Sequence, residues 1–303
     1  MSDSQKRKYT KLPLSVEDQV SFLKQQGLII NNLAYASQIL EAVSFYRLSG
    51  YTLPFKEPHT LGPRKFKTSV TFELIWHIYQ FDKELRLLVS DAIEAIEIAF
   101  RTSLVNKMSI LYGGHWYLEK HHFKNPKQHS LFIKAVDQII RDKSEVFIKH
   151  YYEHYSNPFY PPVWMLAECL SFGTCSKLFR NLKSVADKKS ISEIFQQHPT
   201  VIDSWMASLT YTRNLCAHHS RLWNRWFVIS PLLPKNDPVA SRIGVKDFSF
   251  YRVAYILDKL ITSFSVNSSW KKRLNKLFDN YPDVPFHMMG FSKEWGKDSF
   301  WDL

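Results

Sequence analysis

The chain has 303 residues, 45% of them hydrophobic and 22% charged, which suits one large helical domain or two small ones sharing a core and excludes a disordered chain. Lys and Arg number 40 against 28 Asp and Glu, a formal charge of +12, and such a field draws polyanions and speeds their encounter. No uninterrupted apolar run is long enough to span a bilayer, and the opening Met-Ser-Asp-Ser-Gln-Lys-Arg-Lys carries no secretory core, so a cytoplasmic, non-membrane protein is expected. The three cysteines, Cys169, Cys175 and Cys216, contain no Cys-x-x-Cys pair and point to reduced, buried small residues rather than a disulfide framework or a zinc site. Aromatics reach 15%, which fits a dense core or a surface that stacks on unpaired bases.

Residues 1–14 read as a basic arm with Lys6, Arg7, Lys8 and Lys11, and residues 15–303 as a single all-α domain. Ser15 followed by Asp18 resembles a capping box, with Gly27 as the stop of a first helix. A second helix is expected from Asn32 to Leu48, ended by Gly50, before an irregular connection marked by Pro54, Pro58, Gly62 and Pro63. Phe72 to Leu111 is free of proline and glycine and repeats apolar residues at helical spacing, Ile75, Ile78, Phe81, Leu85, Leu88, Ile93, Ile96, Phe100 and Leu104 among them. It reads as the spine of the core, either one long helix or two joined near Ser90 and Asp91. Gly113-Gly114 breaks it and opens a His-rich loop with His115, His121 and His122. An amphipathic stretch follows at 128–153, then short helices at 163–172, 174–183 and 190–197. Thr200 or Asp203 is placed to cap the next helix, 230–247 reads as a loop, and helices at 248–265 and 268–280 precede an aromatic tail. No strand-period alternation and no repeat occurs.

The densest chemistry lies in Arg213-Asn214-Leu215-Cys216-Ala217-His218-His219-Ser220-Arg221-Leu222-Trp223-Asn224-Arg225. Cleavage of RNA by its own 2′-hydroxyl needs a base for that proton, an acid for the leaving 5′-oxygen and positive charge on the phosphorane. Histidine serves as base or acid near neutral pH, and a guanidinium supplies charge and a phosphate clamp, with neither metal nor cofactor required. Asn214 and His218 are four residues apart, about 40° around a helix, so Asn214 is placed to orient the imidazole. Arg213 and His218 are five apart, about 140°, and a straight helix splays them. Either the helix ends there or another chain completes the site; the second is favoured, because one histidine does not easily act as both acid and base in one turnover. The competing explanation is plain capping, since Arg and His at a helix C-terminus are favoured by the macrodipole alone.

The wider sequence resembles the Abi-like abortive-infection proteins of bacteria (the AbiD/AbiF type). The resemblance is carried by Phe45-Tyr46-Arg47-Leu48-Ser49-Gly50-Tyr51, Phe81-Asp82-Lys83-Glu84-Leu85-Arg86 and Ile96-Glu97-Ile98-Ala99-Phe100-Arg101. Pro162-Val163-Trp164-Met165, Ser171-Phe172-Gly173-Thr174, the Arg213–Asn224 stretch and Met289-Gly290-Phe291 complete it. That group is similar to the HEPN superfamily, and the resemblance implies a HEPN-like helical core with helical additions at both ends. It also implies the Arg-Asn-x-x-x-His signature on Arg213, Asn214 and His218, with His219 the uncertain neighbour, in a site formed across a homodimer. Metal-independent cleavage leaving a 2′,3′-cyclic phosphate and a 5′-hydroxyl, in the service of phage defence, is implied with it. So is a structured small RNA that some relatives bind.

Other residues take lesser roles. Glu97 and Arg101, one turn apart, read as a supporting pair beside the motif or as a plain helix ion pair. Arg221, Arg225, Lys271, Lys272 and Arg273, with Arg47, are the candidate RNA contacts, although Arg47 reads better as a tie between helices. Trp164, Trp223 and Trp226 read as packing, and Trp223 is the one to test for base stacking. No metal site is expected at His115, His121 and His122, which lack matching carboxylate or cysteine spacing. A toxic endoribonuclease is therefore the leading expectation, ahead of a non-catalytic RNA-binding protein or a sensor of a phage component.

Overall fold

The computed structural model describes residues 12–58, 64–142, 144–243, 248–265, 268–292, 295 and 300–301. Lys6, Arg7, Lys8 and Lys11 of the basic arm, and Gly62 and Pro63 of the first connection, lie outside the described residues. The described residues form thirteen α-helices and no strand, with only isolated β-bridges such as that between Phe123 and Leu182. The all-α expectation therefore holds.

Two compact units divide the chain, Met1–Asp82 with Tyr281–Val284, and Lys83–Asn280 with Pro285–Leu303. In the first, α1 (Val16–Gln25) starts on Ser15, whose hydroxyl accepts the Asp18 amide at 3.1 Å. It ends on Gly27 at φ +92°, with Leu28 N–H donating to the Leu23 carbonyl, a Schellman turn. Asn32 caps α2 (Leu33–Ala42) as expected, but the helix stops ten residues later. Ser44 at φ +33° breaks it and caps α3 (Phe45–Thr52), so Gly50 lies inside a helix and does not end one. A local Ser cap outcompetes helix continuation here, because its side chain satisfies the Arg47 amide. Arg47 places its guanidinium over the Tyr79 ring at 5.8 Å, a contact that suits a tie between helices.

Tyr51 donates to the Asp82 carboxyl at 2.6 Å in a buried setting. Tyr51→Phe leaves the ring in place and removes that bond, so it is expected to cost roughly 1–3 kcal/mol. The measurement is a lower denaturant midpoint at unchanged m-value.

The spine is one helix, α4 (Phe72–Tyr112), 41 residues without a break at Ser90. Gly113 at φ +83° ends it. In the second unit the stretch expected as one amphipathic helix is two, α5 (Pro126–Asp142) and α6 (Val146–His154). Next come α7 (Val163–Cys169), α8 (Phe172–Asn181) and α9 (Val185–Ser192), the last followed by a 3-10 turn at Glu193–Phe195. Then α10 (Pro199–Ala217) carries the motif. Its cap is His198 with Pro199 in the first turn, not Thr200 or Asp203, because proline costs a helix nothing where the amide has no intrahelical partner. A short helix, α11 (Pro238–Arg242), interrupts the expected loop, before α12 (Phe250–Phe264) and α13 (Trp270–Asn280).

Asp237 caps α11 and holds the Lys259 ammonium of α12 at 2.7 Å. Burial pushes the carboxyl up, yet the hydrogen bond from Lys259 and the amides of Ala240 and Val239 outweigh it and hold it below the ordinary carboxylate range. A lowered folded pKa stabilises above the unfolded value of about 3.9, and the contribution is lost as pH falls through the folded value. Asp237→Asn is accordingly expected to lower Tm at neutral pH and to shrink its difference from wild type as the pH drops into that range.

Candidate functional site

The motif helix is fixed from below before it presents anything above. Trp205, Met206 and Leu209 of α10 are fully buried. The returning segment is stitched to the same helix by Trp205 Nε1 donating to Leu232 O at 2.7 Å, Ser208 Oγ donating to Ile229 O at 2.9 Å and Leu232 N donating to Ser204 Oγ at 2.9 Å. These bonds satisfy polar atoms that burial would otherwise leave costly.

The helix ends on a second Schellman turn. His218 is the C-cap, its backbone amide bonded to Asn214 O at 3.0 Å. His219 takes the left-handed position at φ +53°, its amide reaching Cys216 O at 2.9 Å, and Ser220 N closes on Leu215 O at 2.8 Å. Glycine usually fills that position; histidine is among the few other residues tolerated there. Beyond the turn Leu222, Trp223 and Phe227 drop into the core at 0% exposure. Trp223 is thus a packing residue with no face for a base. Trp226 is exposed and stacks on Phe248 at 4.3 Å, and Trp164 is also exposed.

Arg213, Asn214, His218 and His219 are all exposed. Among the described residues the side chains of Arg213, Asn214 and His218 have no hydrogen bond or ion pair, so the bond from Asn214 to the imidazole is not made in this conformation. The helix does end at the motif, but one residue too late to gather it. Arg213 to Ala217 are helical and His218 is the cap, so the step of about 140° between Arg213 and His218 persists. Arg213 and Asn214 face a cleft of about 420 Å³ between α8 and α10, whereas His218 is not in its lining. Arg225 donates to Arg221 O at 3.1 Å and closes the loop after the turn.

Sequence reasoning missed the other wall of that cleft. From α8 it is lined by Ser171, Thr174, Lys177 and Arg180. Ser171 caps α8, accepting the Thr174 amide at 3.2 Å. Gly173 lets the two helices close on each other, since a Cβ there would lie 3.1 Å from Thr210 Cγ2. A glycine inside a helix costs about 1 kcal/mol against alanine, and that was the available signal.

Arg101 supports this wall from behind. Its guanidinium is bonded to Glu97 at 2.8 Å, to the Leu170 carbonyl at 3.2 Å and to Glu168 at 3.5 Å. The Glu97–Arg101 pair therefore anchors the turn between α7 and α8 that delivers Ser171, one step removed from the motif. Cys175 of α8 lies beneath it, its thiol pushed up to about 11 by burial, so it stays protonated and inert at neutral pH.

The basic run of α13 divides. Lys271 donates to Phe300 O at 2.5 Å, lies 3.4 Å from Asp258 and over the Phe300 ring, and so belongs to the packing of that helix. Arg273 pairs with Asp91, while Lys272 points to solvent. His115, His121 and His122 form no three-ligand group among the described residues; the grouping that does occur is His150, Glu153 and His154 on α6, with ligand atoms within 4.8 Å of one another and all three residues exposed.

These features define an all-helical protein with an exposed Arg, Asn and His set at a helix end beside a cationic cleft. The family model described as Abi-like protein matches residues 38–224, and the chain belongs to that family. Membership supports a role in abortive-infection defence. No curated protein and no solved structure matches it significantly. Among the described residues no helix is long and apolar enough to cross a membrane.

Proposed function

We propose that this protein defends a bacterial cell by cutting RNA without a metal ion, as a homodimer held in check by, or bound to, a structured small RNA. The observation that carries the reading is the helix end itself. The Schellman turn holds Arg213, Asn214 and His218 on an exposed surface, and none of the three is used to stabilise the fold through its side chain. In the reaction, one histidine takes the 2′-hydroxyl proton while the 2′-oxygen attacks phosphorus, and Arg213 offsets the growing negative charge. The bond from phosphorus to the 5′-oxygen breaks, and that oxygen leaves with a proton from the second histidine. The products are a 2′,3′-cyclic phosphate and a 5′-hydroxyl. Because Arg213 and His218 of one copy face apart by about 140°, a second copy related by a twofold axis supplies the opposing acid or base.

The test is expression of wild type and His218→Ala in a bacterial host, with RNA ends mapped from both. New 5′-hydroxyl ends and growth arrest that both depend on His218 support the proposal. Arrest that is identical in the two strains points instead to RNA binding without cleavage, a reading favoured by the absence of His218 from the cleft lining.

A further inference from the structure

We propose that the cleft between α8 and α10 binds the backbone of single-stranded RNA, with a phosphate held between Lys177 and Arg213. The inference rests on the RNA-directed reading above, but not on cleavage. No aspartate or glutamate is among the residues that line the cleft. Arg180 is already matched by Asp203 at 2.8 Å. Lys177 and Arg213, one from each wall, have no ion pair or side-chain hydrogen bond among the described residues. Two uncompensated cations across a polar cleft repel each other, and an anion between them removes that cost.

The rest of the lining suits a phosphate diester. The Ser171 and Thr174 hydroxyls bond each other at 3.0 Å, which leaves one of the two hydroxyl hydrogens to point at an anion, and the Phe172 and Gly173 amides at the start of α8 have no intrahelical partner. A volume of about 420 Å³ lies within the range of roughly 300–1,000 Å³ that holds a small organic ligand, enough for one nucleotide. A second recess of about 130 Å³ shares Thr174 and Lys177 and adds Leu131, Phe132, Ala135 and Gln128 from α5. Its apolar wall and the Gln128 amide suit an unpaired base on the next nucleotide, the other amide in the lining, Asn181, being bonded to Asn125. This recess is what separates a strand from a free anion: inorganic phosphate would use the cations and leave the apolar wall empty. Arg213 and Asn214 belong both to the cleft and to the motif, so a strand lying here is delivered to the helix end.

The test is fluorescence anisotropy of a short, 5′-labelled 2′-O-methyl oligouridylate with the full chain. That probe lacks the attacking hydroxyl and reports binding alone. Wild type should bind saturably, and Lys177→Gln several-fold more weakly, with the slope of log affinity against log salt reduced by about 0.7. Lys149→Gln, exposed on α6 and in the lining of neither recess, should match wild type. Absence of saturable wild-type binding, equal binding by Lys177→Gln, or an equal loss in Lys149→Gln would overturn the proposal. Displacement by inorganic phosphate at the same phosphate concentration as unlabelled oligonucleotide would overturn the strand and leave an anion site. Failure of His218-dependent cleavage with the Lys177 effect intact would remove the ribonuclease reading and keep the cleft. Intact cleavage with no Lys177 effect would do the reverse.

Discussion

His218→Ala is expected to slow RNA cleavage by about 10²–10⁴-fold, the usual contribution of a general acid or base, while leaving the thermal midpoint nearly unchanged. The separation is possible because the cap is a backbone function. The bond that ends the helix runs from the His218 amide to Asn214 O, and alanine keeps it. The side chain is exposed and unpartnered, so its removal takes nothing from the core. His219 needs a different substitution. Its φ of +53° makes alanine a strained replacement, whereas His219→Gly preserves the turn. Single-turnover cleavage of an end-labelled RNA by both variants, with a melting curve for each, therefore distinguishes the two histidines. A His218→Ala protein that melts and cuts like wild type would reduce the motif to a helix cap.

The same helix end shows how far the sequence could be read. The apolar repeat from Phe72 to Leu111 announced a helical spine but left one helix or two open, which the structure resolves as one of 41 residues; the Arg213–Arg225 cluster announced the exposed motif, because both are local patterns. Ser44, which splits the second helix, is also local, but a single serine has the same appearance inside a helix as at a new cap; only its φ of +33° decides. The burial of Trp223 follows from the reversal at His219, a left-handed residue that histidine does not advertise as glycine would. The cleft was the least legible part. Lys177 lies 36 residues before Arg213 in the chain, and nothing in either segment says that α8 and α10 meet. Gly173 was the one local clue, since it marks a close approach without naming the partner. Lys271 went the other way: a basic run looked like a surface, and the aromatic tail that covers it is distant in sequence.

Phe100→Ala should have the largest effect on stability, about 3–5 kcal/mol. The ring is at 0% exposure on α4 and meets Phe172 at 6.3 Å and Phe179 at 5.5 Å, both edge-on, with Phe195 at 6.4 Å. Alanine removes the ring and the edge contacts together and leaves a cavity walled by three aromatics, which are too stiff to collapse into it fully. The loss appears as a lower denaturant midpoint at constant m-value. Two of those partners belong to α8, so the ring also sets the height of the helix that carries Ser171, Thr174 and Lys177 to the cleft. Affinity for the 2′-O-methyl oligonucleotide should therefore fall in Phe100→Ala even at temperatures where the variant is fully folded. Phe100→Leu, which keeps much of the volume, should lose less of both. Unchanged affinity in a folded Phe100→Ala protein would mean that α8 is positioned by the Arg101 anchor at Leu170 and by α10 alone, and that the aromatic core contributes stability without shaping the cleft.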